Sequence, residues 1–343
     1  MKIIENSRVV VTGGSGFIGT NLIDSLSLKS NQILSIDIAP PRNLNHKPIW
    51  ERIDLCDESK LREAILSFRP NYVFHLGSRT DLQGSTIDQY EQNTDGVSNI
   101  IKATTDLNEL DRIMFVSSRL VCRIGYIPDS DTDYCPSTIY GKSKVKGELL
   151  VRRFGETLPC PWLIVRPTSI WGPWFGSPYL EFFRAVQNGR YFHPGMAKIW
   201  KSFGYIGNTV HQIECLMTAD RGSVQNRTFY LCDYPPLELV DWSRMIADAF
   251  DRRPPVHLPL ALLRIAAIAG DFLKKLGLKE PPLTTFRLHN LLTDMLYDTT
   301  ELEAICGDLP YSVEQGVAET VSWMAKVGTV NANNNSLSRQ RPQ

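Results

Sequence analysis

Tyr140 and Lys144 stand four residues apart in Tyr140-Gly141-Lys142-Ser143-Lys144. On a helix that spacing puts both side chains on one face. A free tyrosine, with a pKa of about 10, is too weakly acidic to act as a base at neutral pH. A neighbouring ammonium, or a positively charged ligand, favours the phenolate and turns the pair into a proton acceptor for an alcohol. Two such residues are by themselves ordinary on a helix surface. Ser118 adds weight: it ends a strand pattern 22 residues before Tyr140 and offers a hydroxyl to the reacting oxygen.

A second set of residues is suited to phosphate. Val9-Val10-Val11-Thr12-Gly13-Gly14-Ser15-Gly16-Phe17-Ile18-Gly19 is a β-rich run entering a glycine turn and then a helical pattern. Gly13 suits the tight turn, Gly16 the approach of a pyrophosphate, and Gly19 close packing of helix on strand. The first turn of the helix then offers free N–H groups and a positive dipole end. Asp37 closes the next strand pattern 18 residues beyond Gly19. A carboxylate there can accept from the hydroxyls of an adenosine ribose and repels a 2′-phosphate, favouring NAD over NADP. Arg42 leaves NADP use open.

The elements that must hold these groups alternate. Arg8–Thr12, Gln32–Ile38, Tyr72–Leu76, Arg112–Ser117 and Trp162–Arg166 read as strands. Gly19–Leu28, Leu61–Phe68, Asn93–Thr105 and Thr138–Phe154 read as helices. That rhythm predicts an α/β fold with a doubly wound parallel sheet over residues 1–170. After Pro167 the texture turns irregular and aromatic, predicting a smaller mixed α/β domain over 171–328. A stretch near 200–220 is expected to rejoin the first domain. The polar, asparagine-rich tail from Thr329 reads as disordered.

The 343 residues carry no net charge, which argues against a nucleic-acid partner. Seven widely spaced cysteines without a C-x-x-C give neither a disulfide framework nor a zinc site, and no metal is expected. They suit a reducing cytoplasm. The N-terminus shows no signal-peptide pattern. The most apolar stretch, Val256–Ala269, contains Pro259 and Arg264 and is shorter than the ~20 residues of a spanning helix. It reads as a core or interfacial helix, with peripheral membrane contact left open.

Taken in order, these features resemble the extended short-chain dehydrogenase/reductases, the NAD-dependent epimerase/dehydratase family. The shared signatures are the Thr12–Gly19 turn, Asp37, Asp54-Leu55, His75-Leu76-Gly77-Ser78, Asn93, Ser117-Ser118, Tyr140 with Lys144, and Arg166-Pro167-Thr168. Lys201–Asn208 and Tyr311–Val317, with Thr320 and Trp323, match later motifs more loosely. The resemblance implies a Rossmann-type sheet and NAD as cofactor. NAD would be held by Gly13, Gly16, Phe17, Ile18, Gly19, Asp37, Asp54, Leu55, Leu76, Gly77, Ser78, Asn93, Ser117, Tyr140, Lys144, Pro167 and Thr168. It implies catalysis by Ser118, Tyr140 and Lys144 on a nucleotide-sugar, with Thr80, Ser118, Ser169, Arg184 and Lys201 as candidate substrate contacts. It also implies a homodimer through Asn93–Thr105 and Thr138–Phe154, using Ile100, Ile101, Leu149, Leu150 and Val151.

The departures narrow the chemistry. Sugar 4,6-dehydratases carry Asp-Glu where this chain has Arg119 and Leu120, and the decarboxylating branch has a glutamate that is missing here. Val121-Cys122-Arg123 replaces the usual Val-Tyr-Gly, and Gly207-Asn208 replaces Asp-Asp. Epimerisation by transient oxidation of a sugar hydroxyl is the expected reaction. A keto-sugar reductase or hydroxysteroid-type dehydrogenase would use the same residues. A non-catalytic NAD-binding module would be expected to lose the tyrosine or lysine.

Overall fold

The protein is described by a computed structural model covering residues 4–29, 31–278, 281 and 283–338, with side chains described up to Val327. The chain divides into two compact units: residues 1–170, 203–234 and 297–310 form the first, and 171–202, 235–296 and 311–343 the second.

In the first unit, β1 (Arg8–Thr12) leads into α1 (Phe17–Ser27), β2 (Gln32–Ile36) and the short β3 (Trp50–Glu51). Then come α2 (Glu58–Phe68), β4 (Tyr72–His75), α3 (Asp95–Thr104), β5 (Arg112–Val116), α4 (Ile139–Phe154) and β6 (Trp162–Pro167). A seventh strand, Arg227–Leu231, pairs parallel with β6. The order across the sheet is Arg227–Leu231, β6, β5, β4, β1, β2, β3, all parallel. This is the doubly wound Rossmann order, and the β-branched runs form it because both faces of the sheet are covered.

Alternate strand residues point to opposite faces. Val10, Val73, Ile113 and Phe115 join one core with Leu61 and Ile65 of α2, Ile100 and Ile101 of α3, and Val151 of α4. Val9 and Val11 point the other way, toward the side of α1 and the helix Ile206–Thr218, which pack on each other. Ile100, Ile101 and Val151 are thus buried within the chain. Of the five residues expected at a dimer contact, only Leu149 is exposed.

The second unit is built on aromatic packing. Trp171 meets Phe183 and Trp242 at ring-centroid distances of 5.8 and 5.4 Å, and Trp174 and Phe175 each lie 5.9 Å from Trp323. Its final helix runs Val313–Ser338, so the tail expected to be disordered from Thr329 begins within helical backbone. Residues 339–343 of that tail lie outside the described residues. No helix among the described residues is long and apolar enough to cross a membrane.

Candidate active site

The predicted groups follow the carboxyl ends of the strands, where open parallel sheets bind ligands. Gly13 follows β1, Asp37 β2, Leu76-Gly77-Ser78 β4, Ser117-Ser118 β5, and Thr168 β6. The glycine turn needs glycine at two points. Gly13 has φ +70°, and a Cβ on it would stand 2.6 Å from the Gly77 nitrogen; one on Gly19 would stand 2.3 Å from the Gly13 oxygen. Gly16 enters α1 as its N-cap and makes no side-chain cap bond, and Phe17 and Ile18 lie half-buried in the first turn. Such a cradle fits a pyrophosphate.

The Asp37 carboxylate accepts from the Ser15 and Ala39 amides, both at 3.0 Å. Burial raises its pKa despite these bonds and the nearby Arg42. Arg42 is exposed and donates to the Ser15 carbonyl at 3.0 Å. The carboxylate keeps lone pairs for ribose hydroxyls. Asp37→Ala is expected to weaken NAD binding about ten- to a hundred-fold, the worth of a charged hydrogen bond, with less loss for NADP. Titrating both cofactors against both proteins checks this; a wild-type preference for NADP would refute it.

Several expected contacts also hold the scaffold together. The Thr12 hydroxyl shares a 2.9 Å hydrogen bond with His75 Nδ1 and accepts from the Gly77 amide at 3.1 Å. Leu55 is buried against Gly77, whereas Asp54 is exposed and accepts from the Cys56 amide. Asn93 ties three segments: its Nδ2 donates to Ser143 Oγ at 2.9 Å and to the Arg79 carbonyl at 3.0 Å, and its Oδ1 accepts from the Arg79 amide. Thr168 donates its hydroxyl to the Leu231 carbonyl, and Pro167 is buried at the end of β6. The Ser117 and Ser169 hydroxyls are buried without a partner among the described residues. Both are spare hydrogen-bonding groups for a ligand.

α4 begins where Thr138 caps it, accepting from the Gly141 amide at 2.9 Å. Tyr140 and Lys144 on its inward face are both buried. Burial pushes the Tyr140 phenol up to about 12, a hydrogen bond with Ser118 acts against this, and Tyr90, 6.1 Å away ring to ring, adds to it. Ser118 Oγ also accepts from the Leu120 amide. Burial draws Lys144 down to about 8, with Glu148 pulling the other way. Its ammonium donates to the Val116 carbonyl at 3.0 Å. Of the two side chains that act on the phenol, Ser118 favours its ionisation and Tyr90 opposes it.

Sequence reasoning passed over what lies under this pair. Glu148, one turn beyond Lys144, is buried and bonded to Arg166 of β6: Nε to Oε1 at 2.9 Å and Nη2 to Oε2 at 2.7 Å. Tyr134 donates to the same carboxylate, and Arg166 also reaches Tyr230 and the Asp131 carbonyl. An internal cavity of about 20 Å³, lined by His75, Asn93, Ser117, Lys144 and Glu148, adjoins this network. The i, i+4 and i+8 positions Tyr140, Lys144 and Glu148 carried the signal for it.

His75 is held neutral, its pKa lowered to about 3 by burial and then by Lys144. Unfolded, it would take a proton near 6.5, so the unfolded chain binds more protons between these values and stability falls as the pH drops through that window. Relative to His75→Asn, the wild type is expected to lose about 2 kcal/mol more on going from pH 7 to pH 5. Urea unfolding at the two pH values checks this, and equal losses would refute it.

Thr80 is exposed on the loop after β4. Arg184 and Lys201 belong to the second unit. Arg184 is exposed, but Lys201 is buried and donates to the carbonyls of Asn290 and Thr293, so its charge is spent on its own unit's backbone. Trp171, Trp174 and Phe175 likewise serve the aromatic core. A surface cavity of about 740 Å³ is lined by Tyr72, Arg112 and Pro161 at the amino ends of strands, away from the catalytic groups. Among the described residues no cluster suited to a metal is found.

A Rossmann sheet with a glycine-turn cradle, an aspartate after the second strand and a buried serine–tyrosine–lysine set has the features of a dinucleotide-dependent enzyme. Residues 9–232 match the family model of the NAD dependent epimerase/dehydratase family, and the chain belongs to that family, whose cofactor is NAD. It is 24% identical over 322 residues to N-acetyl-alpha-D-glucosaminyl-diphospho-ditrans,octacis-undecaprenol 4-epimerase of Escherichia coli O157:H7, covering 93% of this chain and 95% of that one. It is also 24% identical over 340 residues to a 3-beta-hydroxysteroid dehydrogenase of Mycolicibacterium neoaurum, covering 92% and 91%. Among solved structures it superposes on UDP-glucuronic acid 4-epimerase from Bacillus cereus, in complex with UDP-glucuronic acid and NAD. The TM-score is 0.71 at 15% identity, over 93% of this chain and 99% of that one.

Proposed function

We propose that the protein is an NAD-dependent epimerase of a sugar carried on a nucleoside diphosphate. The supporting observation is the buried Ser118–Tyr140 pair beside the dinucleotide cradle, followed by Arg119 and Leu120 and so by no acid able to expel a hydroxyl. Bound NAD supplies reversible removal of hydride from the carbinol carbon. The chain's own part is acid–base: Ser118 holds the sugar oxygen, Tyr140 takes its proton and later gives it back, and Lys144 fixes the ribose side of the cofactor. Burial of Tyr140 favours the protonated phenol, and the positive charge of bound oxidised NAD would favour loss of that proton.

The hydroxysteroid dehydrogenase relative favours a second reading, net oxidation of a ring alcohol. The polyprenyl-linked epimerase relative raises a lipid carrier as an alternative to the nucleotide. Incubation with UDP-, GDP-, CDP- and dTDP-sugars, followed by NMR of the ring protons, tests the proposal. An inverted centre with no net NADH supports it. Stoichiometric NADH from a sugar or sterol establishes the second reading, and conversion of only a polyprenyl diphospho-sugar assigns the carrier to lipid. The homodimer is part of the proposal, on the narrower basis of exposed Leu149 and Phe154 on α4. Light scattering at one chain mass would remove it.

A further inference from the structure

The helix Leu260–Lys275 turns its apolar side to solvent. Ile265, Ile268 and Phe272 are 65, 62 and 62% exposed, and Leu262, Leu273 and Leu276 are exposed beside them. At about 100° per residue these six fall within an arc of about 140°. The buried Ala267 and Gly270 lie on the opposite side, where a Cβ on Gly270 would meet the Leu283 carbonyl. The helix is therefore already packed on its other face, and the apolar stripe is left over.

The charges on this helix have one sign where they meet water. Its only acid, Asp271, is turned to Thr285, accepting from its hydroxyl and amide. Arg264, Lys274 and Lys275 are exposed, and no ion pair engages them among the described residues. Arg264 and Lys275 lie along one edge of the stripe. Two copies of the chain pairing through this face around a two-fold axis would bring these cations toward each other. An anionic lipid surface offers both complements, acyl chains for the stripe and phosphates for its rim.

We infer that Leu260–Lys275 docks the protein on anionic membranes. The helix lies in the headgroup plane with its stripe inward and Arg264 and Lys275 at the phosphate level. The inference holds whatever the substrate is.

The test is sedimentation of the full chain with phosphatidylcholine vesicles, with and without phosphatidylglycerol. Binding is expected only to the vesicles containing phosphatidylglycerol, and it weakens as salt is raised. Ile265→Ser with Phe272→Ser lowers the partition coefficient more than about ten-fold. Each of Arg264→Gln and Lys275→Gln lowers it about five-fold. Because these side chains are exposed, the variants keep the wild-type melting temperature. Ile268→Trp provides a second readout, since its fluorescence shifts to the blue when anionic vesicles are added. Absence of binding, binding indifferent to all four substitutions, or an unshifted tryptophan overturns the inference. So does loss of a dimer in the apolar variant with lipid binding unchanged, which would make this face a contact between copies.

Discussion

Replacing Tyr140 by phenylalanine is expected to cut turnover about 100- to 10,000-fold, the usual cost of losing a general acid–base group, while NAD affinity stays near wild type. The ring fills the same buried space beside Tyr90, and only the oxygen paired with Ser118 is lost. Lys144→Met should damage both rate and cofactor affinity. Ser118→Ala should cost less than either, because water can partly replace one hydroxyl. Steady-state rates and NAD titrations of the three variants check this order. Full activity of Tyr140→Phe on the true substrate would reject the acid–base assignment while leaving the fold untouched.

Arg166→Met is expected to destabilise the protein by about 3–5 kcal/mol, because it strands a carboxylate in the interior. Glu148 is bonded through both oxygens to Arg166, and Arg152, 3.9 Å away, is too distant to replace that geometry. Removing both charges, in Glu148→Leu with Arg166→Met, should cost less than the sum of the two single changes. Denaturant unfolding of the three variants measures this directly. Strict additivity would mean that the pair does not act as a unit. Glu148 lies one turn from Lys144 on the same helix, so the single variant should also lower turnover in whatever fraction remains folded.

Three strands of the sheet were plainly legible because each announces itself twice, by an apolar run and by the chemistry placed just beyond it. Thr12 leads to Gly13, Ile36 to Asp37, and Val116 to Ser117-Ser118. The two-residue strand Trp50–Glu51 carried no such signal. Glu148 escaped notice for a physical reason: among Lys142, Lys146, Arg152 and Arg153 it reads as a solvated helix partner. Its burial depends on Arg166, which only the packing of α4 against β6 brings close. Lys201 is the opposite case. A lysine in a loop-like stretch reads as free charge, yet two carbonyls from residues some ninety positions later hold it. Periodicity reports which side of an element is apolar, not which distant segment will supply a counter-charge. For the same reason Val256–Ala269 showed its apolar character in the sequence, whereas the side it presents to water emerged only from its packing.

The strand Arg227–Leu231 closes the sheet at β6 after the chain has left the first unit and come back. During synthesis this has a cost in time. When residue 170 has been made, β6 still shows a bare hydrogen-bonding edge, and Arg166 lacks Tyr230. A nascent chain at that stage exposes the strand margin through which unfinished sheets aggregate. It stays exposed while more than fifty further residues are added, and only then does Tyr230 join the Arg166–Glu148 pair one turn from Lys144.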